Sequence, residues 1–111
     1  MRYGLSEETI SLINSVFAAH PSIKEVKIYG SRAKGNYRTG SDIDPCIFSG
    51  ALSNDELNRI KNELDELPTP YSIDLCDYDK VKNTELKEHI DRVGKYFYEN
   101  VSIKRIGASK T

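Results

Sequence analysis

Apolar residues recur along this chain with two different spacings. In three stretches they lie three or four positions apart, as on one side of a helix. These residues are Ile10, Ile13, Val16 and Phe17, then Leu57, Ile60, Leu64 and Leu67, and finally Leu86, Ile90 and Val93. Shorter apolar or alternating runs predict strands at residues 25–29, 42–48 and 71–76. Strands that alternate with helices in this way predict a small α/β domain.

The ends of the helical stretches carry residues that begin or stop helices. The N-cap positions are Ser6, Ser53 and Asn83, and the stops are Pro21, Pro68, Pro70 and Gly94. Glu56 completes a capping box with Ser53. A short helix is predicted from about Arg32 with Ser31 as its cap, and the aromatic residues at 95–101 could add a short strand.

The composition indicates one folded domain. A length of 111 residues, with 38% hydrophobic and 30% charged residues, is typical of a globular chain with a single modest core. We expect residues 1–101 to form the domain and residues 102–111 to be a flexible, mildly basic tail. No apolar run reaches the length of a membrane span, and no signal-peptide core is present, so a cytoplasmic location is expected.

The cysteines and histidines predict no separate site. Two cysteines are too few for a disulfide scaffold, and a cytoplasmic chain keeps its thiols reduced. Their positions on the predicted strands would nevertheless place Cys46 and Cys76 close together. His20 and His89 have no metal-ligating neighbour by spacing and are predicted to be surface residues.

Residues 29–44 contain the strongest functional signal. Gly30 and Ser31 stand where an apolar run stops, and ten residues later Asp42 and Asp44 flank one apolar residue. On an extended chain these two carboxylates point the same way, and they repel each other when ionised. A divalent cation removes that repulsion, and carboxylate oxygens suit Mg²⁺.

A third acid and several cations extend this signal. Asp74 lies between two apolar residues, and burial of an unpartnered carboxylate is costly. A role as third metal ligand would explain its position. The structural alternative is a strand-end Asp that accepts hydrogen bonds from backbone N–H groups. Arg32, Lys34 and Arg38 are the cations of the intervening segment. Because Gly30 has no side chain, a phosphate could approach its backbone closely. The alternative is an ordinary Gly-Ser turn.

This pattern resembles the signature of the DNA polymerase beta-like nucleotidyltransferases. The short length makes the chain most similar to the minimal nucleotidyltransferases, the MNT antitoxins encoded beside HEPN ribonuclease toxins. The resemblance spans roughly residues 26–93 and implies the nucleotidyltransferase fold, a mixed sheet with helices chiefly on one side. It departs from the family at Pro45, where an aliphatic residue usually stands, and this puts the length and pairing of the second strand in doubt.

The resemblance also implies a mechanism. Two Mg²⁺ ions would be held by Asp42, Asp44 and Asp74, and Asp74 would take the proton of the acceptor hydroxyl. ATP would be the substrate, its terminal phosphates bound by Gly30 and Ser31 with charge added by Arg32 or Lys34.

The expected acceptor is a protein, and two rival functions stay open. Nearly all its residues form the nucleotide-binding core, and a net charge of −1 disfavours a long polynucleotide. A protein hydroxyl presented by a partner fits better, and the resemblance implies that this hydroxyl belongs to a tyrosine of a HEPN toxin. One rival is a non-catalytic antitoxin that neutralises its partner by contact, and the other is a sensor that binds ATP–Mg²⁺ without turnover.

Overall fold

The computed structural model of the chain describes residues 1–50 and 52–100, which form four α-helices and a mixed four-stranded sheet. The helices are α1 (Glu7–Ala18), α2 (Ser31–Lys34), α3 (Asn54–Asp65) and α4 (Thr84–Val93). The strands are β1 (Glu25–Ile28), β2 (Pro45–Phe48), β3 (Cys76–Asp77) and β4 (Lys95–Glu99), in the order β3-β2-β1-β4. β1 is antiparallel to both β2 and β4, whereas β2 and β3 are parallel. The predicted α/β class with a mixed sheet is confirmed.

The three long helices begin at the predicted caps. The Ser6 hydroxyl oxygen accepts the N–H of Thr9 at 3.1 Å, and that of Ser53 accepts the N–H of Glu56 at 3.1 Å. Asn83 Oδ1 accepts two N–H groups at the start of α4. These bonds satisfy amide donors that have no partner within the helix. None of the helices in the described part of the chain is long and apolar enough to cross a membrane.

The core lies between one face of the sheet and the pair α1 and α3. Its fully buried side chains include Ile13, Phe17, Val26, Ile28, Ile47 and Ile60. α4 lies against the other face, where its His89 ring meets the Tyr29 ring edge-on at 6.0 Å and its Asp91 accepts the hydroxyl of Tyr78. The resemblance implied helices chiefly on one side of the sheet. The structure has α1 and α3 on one face and α4 on the other.

Two strands are shorter than predicted. β2 begins at Pro45 rather than at residue 42, and β3 comprises only Cys76 and Asp77 rather than residues 71–76. Upstream of both strands, Ile43 and Ile73 form one isolated parallel bridge. Because Pro45 has no N–H to donate, the ladder is interrupted between that bridge and the paired Cys46 and Cys76.

One local prediction needs correction, and two others hold. α2 begins at Ser31 itself, with Gly30 as its cap and no side chain bonded there, so Ser31 is not the capping residue. Gly94 ends α4 as expected, although its φ of −60° is not left-handed. The short strand expected within residues 95–101 is confirmed as β4, which covers residues 95–99. Residue 101 and the predicted tail at 102–111 lie outside the described residues.

His20 is the clearest error of the sequence interpretation. It was expected at the surface, but it is only 7% exposed. Its Nδ1 lies 3.3 Å from Glu56 Oε2 and its Nε2 lies 2.9 Å from Glu63 Oε1, so it links the end of α1 to α3. The chain turns after α1, and this turn carries the ring against α3. His89, also expected at the surface, is half-buried.

Candidate active site

Gly30 lies at the point where β1 ends and α2 begins, and its backbone is one that a side chain would disfavour. Its φ is +74°, in the region where glycine is preferred. A Cβ built on Gly30 would lie 2.8 Å from Asp44 Oδ2. The missing side chain therefore leaves room for a carboxylate oxygen of Asp44 as well as allowing the turn.

Backbone hydrogen bonds bring the three predicted acids to the same end of the sheet. The Tyr29 N–H donates to the Asp44 carbonyl at 3.1 Å, which fixes Asp44 beside Gly30. The Ile43 N–H donates to Ser72 O at 2.9 Å, and the Asp74 N–H donates to Ile43 O at 2.8 Å. Asp74 is thus held next to the residue that separates Asp42 from Asp44.

The burial of these acids differs from the expectation. Asp74 was predicted to be buried between Ile73 and Leu75, but its side chain is exposed, as is that of Asp42. Only Asp44 is half-buried. An exposed carboxylate can bind a ligand from solvent directly. The argument for Asp74 as a metal ligand therefore rests on its accessibility to a ligand and no longer on the cost of burying its charge.

The electrostatics of Asp44 reflect both its burial and the other acids. Partial burial, together with the charges of Asp74 and Asp42, raises the pKa of Asp44 from 3.8 to about 6. The positive charge of Arg32 opposes the shift. A carboxyl group that resists ionisation because it is partly buried and other carboxylates are near is one that a bound cation would stabilise in the charged form.

The donor set suits Mg²⁺ in chemistry but is not assembled as a coordination shell. Three carboxylates at one end of a sheet provide the hard oxygen ligands that this ion prefers. Within residues 1–50 and 52–100, however, no three His, Cys, Asp or Glu side chains are grouped closely enough to hold a metal ion as they stand. The exposed Asp42 and Asp74 side chains would have to turn toward Asp44 to do so.

Arg32 has a structural environment that the sequence did not indicate. It is only 3% exposed, and its guanidinium donates to Ser41 O at 3.2 and 2.8 Å and to Tyr3 O at 2.9 Å. The same group lies over the rings of Tyr37 and Tyr71, at 5.2 and 4.9 Å from their centroids. Arg32 thus ties the loop after α2 to the N-terminal residues.

The remaining phosphate ligands stay predictions. Binding of phosphate by Arg32 is less well supported than binding by Lys34, because the N–H groups of Arg32 already bond to carbonyls while Lys34 is exposed. Ser31 is half-buried at the first position of α2, with its N–H at the start of the helix. That position suits an anion, although a helix of four residues contributes little dipole.

A layer of polarisable residues lies directly behind the acids. Cys46 and Cys76 are paired across β2 and β3, as their positions predicted, and both are free thiols. A hydrogen bond between the two thiols raises the pKa of Cys46 and lowers that of Cys76. Burial raises the pKa of Tyr29, and the nearby Cys76, Asp44 and Asp74 raise it further.

Tyr29 is the residue of this layer that the sequence interpretation missed. The available signal was its position, since a residue directly before the glycine that ends β1 must reach the same end of the sheet. Its ring contacts the His89 ring of α4 edge-on, with 6.0 Å between the ring centroids.

A match to a protein-family model identifies the family of this chain. The model of the polymerase beta nucleotidyltransferase domain matches residues 11–102, which is most of the chain. The chain belongs to this nucleotidyltransferase family. The matched range includes every candidate site residue, from Gly30 to Asp74. No curated protein sequence is significantly similar to the chain.

Solved structures share the fold at low sequence identity. A chain of a toxin–antitoxin complex with AMP-PNP is 22% identical, with a TM-score of 0.65 over 96% of this chain and 83% of that one. A chain of the complex between the tri-AMPylated HEPN toxin of Shewanella oneidensis and its MNT antitoxin is 18% identical, with a TM-score of 0.57 over 96% and 82%. A putative nucleotidyltransferase from Sulfolobus solfataricus is 20% identical, with a TM-score of 0.52 over 87% and 92%. These likenesses confirm the nucleotidyltransferase fold.

Proposed function

We propose that this nucleotidyltransferase is an antitoxin that transfers AMP from ATP to a tyrosine hydroxyl of a partner HEPN toxin, with Mg²⁺ as cofactor. The observation that carries the proposal is the convergence of Asp42, Asp44 and Asp74 beside Gly30 and Ser31. Family membership supplies the reaction class. The solved complexes with a similar fold include one with AMP-PNP and one with an AMPylated HEPN toxin, which supports the choice of nucleotide and partner.

Each residue has a role that its position supports. Asp42, Asp44 and Asp74 would hold Mg²⁺, which when bound would neutralise phosphate charge and favour an ionised acceptor hydroxyl. Gly30 and Ser31 would bind the terminal phosphates with backbone N–H groups, and Lys34 would add a positive charge. Asp74 is exposed and can receive the hydroxyl proton.

The proposed reaction is the transfer of AMP with pyrophosphate as the leaving group. The acceptor oxygen forms a bond to the α-phosphorus of ATP while the bond between the α-phosphorus and the bridging oxygen breaks. Pyrophosphate leaves, and the acceptor proton passes to Asp74. The product is an AMP phosphodiester on the acceptor, whose negative charge would repel the RNA phosphates that a ribonuclease must bind.

Mass spectrometry of the partner tests this proposal. A HEPN toxin, the proposed partner, is co-expressed with the wild type, with Asp44→Asn, and with Asp79→Asn as a matched control at an exposed acid outside the site. We expect AMP adducts on a toxin tyrosine with the wild type and the control, and none with Asp44→Asn. An unmodified toxin in all three samples would overturn the proposal.

A contact-only antitoxin is the second candidate. It is favoured by the carboxylates that are not grouped into a metal shell and by the interruption of the sheet at Pro45. In that case the wild type and Asp44→Asn would neutralise the toxin equally well, and the purified chain with ATP and Mg²⁺ would release no pyrophosphate.

A further inference from the structure

A cleft lined by cations lies on the other side of Gly30 from the acids. We call it the basic cleft; its lining residues are Ala33, Lys34, Arg92, Val93, Gly94 and Lys95, and its volume is about 660 Å³. Three of these six residues carry a positive charge and none carries a negative one. The whole chain has a net charge of −1, so this local excess is not a consequence of composition.

The sheet order places the basic cleft at the catalytic end of the molecule. β1 lies between β2, next to which the acids gather, and β4, which begins at Lys95. Lys95 pairs with Ile28, two residues before Gly30, and Lys34 is the last residue of α2. The acids and the basic cleft therefore flank the Gly30 turn from opposite sides.

The tight turn between α4 and β4 shapes the basic cleft. The Gly94 N–H donates to the Ile90 carbonyl at 2.8 Å, and a Cβ on Gly94 would collide with the oxygen of that carbonyl. This close approach brings the last turn of α4, with Arg92, directly beside the start of β4, with Lys95. Both cations are exposed at the mouth of the cleft.

The cations of the basic cleft lack the partners that several other cations of the molecule have. Within the described residues, Lys34, Arg92 and Lys95 form no ion pair, side-chain hydrogen bond or ring contact. The same holds for Lys61 and Lys82, so the cleft cations are distinguished by lining one cleft together. By contrast, Lys80 contacts Asp77 and donates to Leu52 O, while Lys27 and Lys87 lie over aromatic rings. Unpaired charges of one sign in a single cleft favour a ligand of the opposite sign.

We propose that Arg92 and Lys95 of the basic cleft dock an acidic surface of the protein acceptor and so hold its hydroxyl group over the acids, while Lys34 keeps its role toward the ATP phosphates. This inference rests on the proposed function, because it takes the acceptor to be a protein. A protein surface fits better than a polynucleotide, which requires cations along an extended track rather than three within one cleft. Complementary charge at this place would also orient the acceptor, since the basic cleft lies on only one side of Gly30.

A charge-reversal experiment tests the docking. The double variant Arg92→Glu/Lys95→Glu is compared with Lys61→Glu/Lys82→Glu, which makes the same change in net charge at two other exposed lysines. Affinity for the proposed HEPN partner protein is measured by calorimetry at low and high salt. We expect the first variant to bind about tenfold more weakly with a smaller salt dependence, and the control to stay within about twofold of wild type.

Four further measurements separate the outcomes. Both variants must keep the wild-type melting temperature and the wild-type affinity for a fluorescent ATP analogue with Mg²⁺, because neither replaces an active-site residue. A wild type that binds the HEPN protein through Arg92 and Lys95 but transfers no AMP would refute the proposed function and leave the docking intact. Unchanged partner affinity in the cleft variant, with loss of binding to single-stranded oligoadenylate, would overturn the docking proposal in favour of a nucleic-acid site.

Discussion

The two sides of this small domain are held together in different ways. Between α1, α3 and the sheet, fully buried side chains such as Phe17 and Ile60 fill the core, and His20 joins the two helices through contacts with carboxylates. At the candidate active site, the acids are positioned by main-chain hydrogen bonds and by a glycine that leaves room for Asp44. Side-chain chemistry therefore specifies the packed side, whereas backbone geometry specifies the site. Changes on the two sides should separate stability from activity.

The largest effect is expected from Asp44→Asn. Loss of one charged ligand from a three-acid site should reduce AMP transfer by about a thousandfold or more, while the fold survives. Transfer by the purified chain and its thermal melting curve are measured together. An early-melting variant that still transfers AMP would show that Asp44 serves the fold, and the contrast between the two sides would disappear.

A stability effect without a catalytic one is expected from His20→Ala. The substitution removes a buried ring that contacts Glu56 and Glu63, and it leaves both carboxylates without that partner. We expect the free energy of unfolding to fall by about 2 kcal/mol. Urea denaturation gives this value, and the rate of AMP transfer per folded molecule should match wild type. A loss of transfer that exceeds the unfolded fraction would show that the packed side also positions the site.

Gly30→Ala should affect both properties because Gly30 belongs to both the turn and the site. The positive φ costs about 1 kcal/mol for any residue with a side chain, and the new Cβ would press on Asp44 Oδ2. A double-mutant cycle with Asp44→Ala measures the second part. Coupling between the two substitutions is expected, and strictly additive free energies would show that Asp44 does not need the space beside Gly30.

The smallest effect is a pH dependence of the metal-free chain. The pKa of Asp44 is about 6 in the folded state against 3.8 as its ordinary value, so the folded state keeps a proton that the unfolded state loses. The free energy of unfolding should therefore fall as pH rises from about 4 to about 6, by on the order of 1 kcal/mol after solvent screening. Asp44→Asn should remove this fall. Equal slopes in both proteins would assign the titration to another group.

The sequence predicted the packed side well because its signals are local. Apolar spacing and the caps at Ser6, Ser53 and Asn83 depend on neighbours within a few residues, and all three caps are present. His20 was misplaced because its burial depends on α3, whose residues lie more than thirty positions away along the chain.

Which residues form the site stays a prediction, and the sequence did not indicate how they are arranged. The motif identified three acids that backbone bonds do bring to one end of the sheet. The exposure of Asp74 and the burial of Arg32 under Tyr37 and Tyr71 depend on how separate segments cover one another. No local pattern encodes that cover. The same limitation applies to the strands, where alternation continued past the residues that are paired.

The isolated bridge between Ile43 and Ile73 has a consequence for how long the site persists. Asp74 is attached to the sheet upstream of β3 by that single bridge, and its N–H donates across it to Ile43 O. We expect this attachment to open and close locally many times between global unfolding events, carrying Asp74 away from the other acids each time. Native-state hydrogen exchange should then show the Asp74 amide exchanging at a lower free energy than the Val26 amide in the central strand. Equal values for both amides would mean that the site opens only when the whole domain does.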